Sequence, residues 1–193
     1  RQTSVSRNYI YGLFQDVRRY PLCHRWYFYL GRSLFYRKQY QEAINVFAQG
    51  VCLCAHTAWC AELSQGFVYA GQCHVYLLNL EDAERCYFAA IKADPSRREG
   101  WIRLAYIAQS RKNYLLCRGF CLAALGQPQH IGLYEAEINY TYLPHDLLYW
   151  ACIHSNLLQE AWVHWKICLE FLPHNPRYLH DKKFFDHIVV PKI

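Results

Sequence analysis

The chain has 193 residues, 53% of them hydrophobic and 19% charged, which supplies a packed core and excludes an intrinsically disordered segment. Its net charge of +6 is modest, and the basic residues are scattered as isolated pairs (Arg18-Arg19, Arg37-Lys38, Arg97-Arg98, Arg111-Lys112, Lys182-Lys183). Such pairs read as solvated helix faces and argue against nucleic acid as a partner. No apolar run reaches the ~20 residues that cross a bilayer, so no membrane span is expected.

In chain order, residues 4–19 read as a leading helix closed by Pro21, within an N-terminal segment 1–22. Four helix pairs are expected over 23–175: 24–37 with 40–54, 58–78 with 80–93, 97–111 with 114–126, and 145–156 with 159–172. Gly126, Pro128 and Gly132 mark 127–143 as a long loop, and residues 176–193 read as a C-terminal cap or tail.

The pairs repeat one another. Tyr27-x2-Leu30-Gly31-x2-Leu34 is followed by Tyr40-x2-Ala43-x3-Phe47, and Phe67-x2-Ala70-Gly71-x2-His74 by Leu80-x2-Ala83-x3-Tyr87. Trp101-x2-Leu104-Ala105 precedes Tyr114-x2-Cys117-x3-Cys121, and Leu148-Tyr149-x2-Cys152 precedes Leu158-x2-Ala161-x3-Trp165. Small residues (Gly31, Gly71, Ala105, and Ala43, Ala83, Ala161) belong where two helices approach most closely. Large ones (Tyr27, Phe47, Phe67, Tyr87, Trp101, Trp165) fill the space between pairs. Pro95 and Pro173 close their second helices. These spacings match the tetratricopeptide pattern of two antiparallel helices in about 34 residues. The fold expected is all-α: a tetratricopeptide-like right-handed superhelix of antiparallel helix pairs. The equivalent positions Ala43, Ala83, Cys117 and Ala161 are 40, 34 and 44 residues apart, which places insertions at 52–62 and 127–143.

A closer resemblance rests on Arg7-Asn8, Pro21, the run Arg25-Trp26-Tyr27-Phe28-Tyr29-Leu30-Gly31-Arg32-Ser33-Leu34, Gly71-Gln72-Cys73, and Tyr140-x-Tyr142-x-Pro144-x-Asp146-Leu147-Leu148. Together these resemble the tetratricopeptide-like region that follows the catalytic domain in many family-2 glycosyltransferases, over roughly residues 7–175. That family carries an Asp-Trp turn where this chain has Thr141 and Tyr142. The resemblance implies a non-catalytic scaffold within a longer protein, whose upstream domain in the same chain would bind a nucleotide sugar and a divalent metal. It implies acceptor recognition, of protein or glycan, or self-association as a homodimer. The alternative is a free-standing adaptor that binds a partner peptide or helix. The chain has no Met and begins at Arg1, which also reads as a segment of something longer.

No catalytic set is visible: there is no Asp-x-Asp motif and no glycine-rich phosphate loop, and no cofactor is expected in this segment. Ten cysteines lie in apolar helical patterns without a recognisable export signal, which reads as reduced, buried thiols of a cytoplasmic protein. Cys52, Cys54, His56 and Cys60 are the one weak metal candidate, at a spacing that is no standard zinc motif. Neighbours on a helix diverge, so Cys23-His24 and Cys73-His74 are not nucleophile–base dyads. His154, His164, His174, His180 and His187 show no ligand spacing and read as scattered. The concave face of the first helices is the expected partner surface, with Arg25, Arg32, Tyr36, Gln72, Tyr76, Tyr106, Trp150 and His154 as candidate contacts. The same register also assigns Gln65, Val68, Glu99, Ile102 and Asp146 to that face.

Overall fold

In a computed structural model, residues 4–54, 60–128 and 136–185 are described, with residues 4–8, 54 and 60 described by backbone alone. Among them the protein is all-α and divides into two compact units, 1–95 and 96–193.

The first unit contains α1 (Ser4–Arg19), α2 (His24–Tyr36), α3 (Tyr40–Cys54), α4 (Cys60–Tyr76) and α5 (Leu80–Ala93). α2 packs on α3 and α4 on α5, and α3 joins the two pairs. Tyr27, Phe28, Leu30, Leu34, Ala43, Phe47, Val68, Cys73, Ala83 and Tyr87 are buried there. The periodicity of the first helices is explained by what they bury: Gly31 and Gly71 lie directly under the rings of Phe47 and Tyr87.

The second unit contains α6 (Glu99–Ser110), α7 (Tyr114–Leu125), a 3-10 turn at Glu137–Tyr140, α8 (Leu143–His154), α9 (Leu158–Phe171) and α10 (Pro176–Asp181). α6 packs on α7, α7 on α8 and α8 on α9. Its core unites Ile102, Ala105, Cys117, Cys121, Leu148, Tyr149, Cys152, Ala161, Trp165 and Cys168 with Tyr178 and Phe185.

One turn recurs in every pair. Lys38, Leu78, Lys112 and Asn156 all have left-handed backbone, with φ of 61°, 61°, 58° and 57°. The residue after each donates its N–H five residues back: Gln39 to Leu34, Asn79 to His74, Asn113 to Ala108 and Leu157 to Cys152. This closes the first helix with otherwise orphaned carbonyls satisfied, and turns the chain into the second. Asn79 and Asn113 then cap α5 and α7 by accepting from the N–H of Asp82 and Leu116.

The fourth pair departs from the small-residue rule. Seven residues before each left-handed position stand Gly31, Gly71, Ala105 and then Tyr149. Tyr149 is fully buried because its hydroxyl donates to Asp181 Oδ2 at 3.0 Å, while Trp165 Nε1 donates to the Tyr178 carbonyl at 2.8 Å. Both large side chains thus reach toward the segment 176–185, whose Tyr178, Asp181 and Phe185 are buried. Tyr178 also donates to Asp146 at 2.7 Å, and Arg177 pairs with the same carboxylate.

Two readings are corrected. The stretch 127–143 is not loop throughout: its described part holds the 3-10 turn, and α8 begins at Leu143. Asn139 and Tyr140 are buried there, Asn139 donating to Glu99 Oε1 at 3.0 Å. Arg97-Arg98 is not a solvated face: the two residues are only 4% and 5% exposed. Arg98 lies 4.8 Å from the centroid of the Tyr140 ring and donates to the Gln127 carbonyl, while Arg97 stands 3.8 Å from Glu99. Gln127, Asn139 and Tyr140, from the described parts of 127–143, cover the start of α6, which no helical periodicity signals.

Candidate functional site

In the first unit, α2 and α4 present one aromatic wall. Phe35 is its centre, with ring centroids of Tyr36, Tyr40, Tyr69 and Tyr76 between 5.1 and 6.0 Å away. Tyr40 and Tyr76 stack at 4.7 Å with an interplanar angle of 9°, and the Tyr36 and Tyr69 hydroxyls are 3.2 Å apart. Burial and the Tyr36 hydroxyl push the Tyr69 phenol above its ordinary range, so it stays a neutral hydrogen-bonding group. Tyr36 and Tyr76 remain 69% and 59% exposed at the rim. Offset and edge-on ring pairs hold such a surface rigid, and rigid aromatics lose little entropy on binding.

Arg32 lies along this wall, 5.2 Å from the Tyr29 centroid and 5.8 Å from that of Phe28. Arg25 is drawn inward instead, its Nε 3.1 Å from a carboxylate oxygen of the buried Glu62, which His24 also approaches at 3.4 Å. Gln72 is half-buried. The structure therefore brings Arg32, Tyr36, Tyr76 and Gln72 onto α2 and α4 of one unit and gives Arg25 a structural pairing as well.

In the second unit, Trp150 meets His154 edge to face at 4.7 Å, and His154 stacks on Tyr114 at 4.4 Å and 12°. Tyr106 is partly exposed on α6; burial raises its phenol while Arg103 and Arg177 oppose that shift. Four positions assigned to the partner face are covered: Gln65, Val68, Glu99 and Ile102 are buried. Gln65 and Val68 lie one and two turns into α4 and Ile102 one turn into α6, while Glu99 opens α6 beneath Asn139. Asp146, likewise assigned to that face, binds Arg177 and Tyr178 instead.

Three of the buried thiols are poor nucleophiles, whereas a hydrogen bond with Cys121 lowers the pKa of Cys117. Burial pushes Cys73, Cys152 and Cys168 up to about 12, so they stay protonated at neutral pH. Of the metal candidate, Cys52 is exposed at the end of α3, while His56 and the side chains of Cys54 and Cys60 lie outside the described residues. Among the described residues no group of three or more His, Cys, Asp or Glu could hold a metal ion. No described helix is long and apolar enough to cross a membrane.

Sequence spacing missed one pairing. His145 on α8 and His164 on α9 bring their Nδ1 atoms to 2.9 Å. Their ring centroids are 5.1 Å apart, close to the most that this contact permits, so the nitrogens point at each other and one donates to the other. Residues 19 apart on different helices leave no spacing signal; only the register of α8 against α9 places them together.

Comparison with solved structures supports the architecture. The chain is similar to the crystal structure of MamA protein, with a TM-score of 0.63 and 14% sequence identity over 94% of this chain and 87% of that one. At that identity the likeness concerns the fold, an all-α tetratricopeptide-like solenoid. No family model matches the chain. No curated protein matches it either.

Proposed function

We propose that this chain is a tetratricopeptide-type recognition scaffold, the non-catalytic accessory region of a family-2-like glycosyltransferase, and that it engages the acceptor. The tetratricopeptide-like fold fits a protein-interaction scaffold. The observation that carries recognition is the wall of α2 and α4, where Tyr36 and Tyr76 stand exposed on a braced aromatic cluster beside Arg32. Tyrosine and arginine are the side chains that anchor interfaces, because they combine large apolar area with a polar end. The glycosyltransferase part of the reading rests on the residue pattern from Arg25 to Leu34 and from Tyr140 to Leu148. Protonated thiols packed inside the helices fit work in the cytoplasm, where thiols stay reduced.

The test uses the full-length protein with labelled nucleotide sugars, comparing wild type with a Tyr36→Ala/Tyr76→Ala variant. Donor hydrolysis is expected to persist while transfer into high-molecular-mass material of a host extract falls. A full-length protein that turns over no nucleotide sugar would refute the glycosyltransferase part. Undiminished transfer by the variant would refute the role of the wall.

A further inference from the structure

An open cleft of about 300 Å³ in the second unit is lined by Lys112, Asn113, Tyr114, Leu115, His154 and Ser155. It lies between the turn that joins α6 to α7 and the C-terminal end of α8. Its volume falls at the lower end of ordinary ligand sites. The polar groups are donor-rich: an ammonium, a hydroxyl from Ser155, a phenol, an amide and an imidazole. No carboxylate lines the cleft, and among the described residues none pairs with Lys112. Asn113 Oδ1 is taken by the Leu116 N–H, which caps the helix start and leaves only the donor end of that amide facing a ligand, beside the other side chains of the cleft.

The floor and wall have a second character. Tyr114 and His154 are stacked face to face and Trp150 closes on His154 edge-on, which fixes both rings. Leu115 stands beside them with 67% of its surface exposed. A cation without a counter-charge next to an exposed leucine and a rigid aromatic stack matches a ligand that carries an anion beside an apolar group. An acidic residue next to an aliphatic one in a peptide has that character. An anionic polysaccharide has the charge but would leave Leu115 uncovered.

We propose that this cleft binds an acidic–apolar peptide segment of a partner protein, its carboxylate held by Lys112 and its apolar neighbour packed on Leu115 and the Tyr114–His154 stack. The proposal rests on the protein-interaction reading and not on the glycosyltransferase one.

The test is fluorescence anisotropy of the full chain with a fluorescein-labelled peptide of alternating Glu and Leu. Controls are the same peptide with Gln for Glu, and a heparin fragment as competitor. Lys112→Gln is compared with Lys38→Gln, which removes the same charge at the same left-handed turn position in the first unit. Saturable binding is expected, weakened about tenfold by Lys112→Gln and by the Gln peptide, and unchanged by Lys38→Gln. Any of three results would overturn the proposal: no saturation up to about 1 mM peptide, equal effects of the two lysine variants, or binding of heparin without binding of peptide. None of these would alter sugar-nucleotide turnover by the full-length protein, so failure here is distinguishable from failure of the glycosyltransferase reading.

Discussion

Gly71 lies so close beneath Tyr87 that a Cβ built on it would fall 2.4 Å from the ring's Cε1. Gly31 stands in the same relation to Phe47, at 2.6 Å. Neither ring can give way easily, because Phe47 and Tyr87 are both buried. Gly71→Ala is therefore expected to destabilise the protein by about 1–2 kcal/mol, overpacking outweighing the helix propensity that alanine gains. At the equivalent positions of the third pair, Ala105 faces the register of Cys121, a smaller partner for a larger one. Gly71→Ala should accordingly become neutral or stabilising in a Tyr87→Cys background. A double-mutant cycle in urea measures this; additive effects would contradict the contact.

Glycines in open surroundings should behave in the opposite way. A Cβ on Gly66 would meet Phe47 and Phe28 at ordinary contact distances of 3.8 and 3.9 Å, and one on Gly119 would meet nothing within 4 Å. Both lie inside helices. Gly66→Ala and Gly119→Ala are each expected to raise stability by about 0.5–1 kcal/mol through backbone entropy, read as a higher Tm.

Leu78 holds a left-handed backbone conformation with its side chain 89% exposed. The side chain contributes little packing, and the conformation strains any residue with a Cβ. Leu78→Gly should stabilise by about 0.5–1 kcal/mol despite the greater freedom of glycine in the unfolded chain. A fall in Tm would show that Leu78 is held by contacts instead.

Acid should weaken the second unit through His145 and His164. Burial, His164 and Arg98 hold His145 down to about 4, and burial lowers His164 while Glu160 opposes that shift. Other groups near the pair are Arg118, which binds Glu160 at 2.9 Å and also lowers His164. The unfolded chain binds protons near pH ~6.5, so between there and about pH 4 the unfolded state carries more of them. Stability is thus complete above the unfolded value and declines as pH falls, by about 2–3 kcal/mol from His145 near pH 4, with His164 acting in the same direction. Urea midpoints at neutral and acid pH should show a smaller decline for a His145→Gln/His164→Gln variant. Equal declines would contradict the pairing.

The C-terminal segment should matter to the core it covers. Tyr149→Phe removes the hydroxyl that donates to the buried Asp181, leaving that carboxylate oxygen without its partner. A loss of about 1–3 kcal/mol is expected in equilibrium unfolding. An unchanged midpoint would mean that solvent reaches Asp181.

Much of the fold was legible because helix pairs impose a period. The 40, 34 and 44-residue steps between Ala43, Ala83, Cys117 and Ala161 reappear in the left-handed turn residues Lys38, Leu78, Lys112 and Asn156. Gly31 and Gly71 were legible for the same reason, since each must sit under a large residue of its partner helix. What escaped depends on tertiary contacts that no period encodes. Arg97 and Arg98 look solvated until Gln127, Asn139 and Tyr140 close over the start of α6. Tyr149 occupies a small-residue position only because residues 176–185 give its hydroxyl a partner. In the candidate surface, Tyr36, Tyr76 and Arg32 could be placed from register, whereas the cleft around Lys112 arises from how the α6–α7 turn meets the end of α8.

The most direct measurement is the sequence of the open reading frame upstream of Arg1. An upstream mixed α/β domain with an acidic metal-binding motif is expected, joined in the same chain to these helices. A start codon immediately before Arg1, with no such domain, would contradict the accessory role and leave an adaptor that works alone.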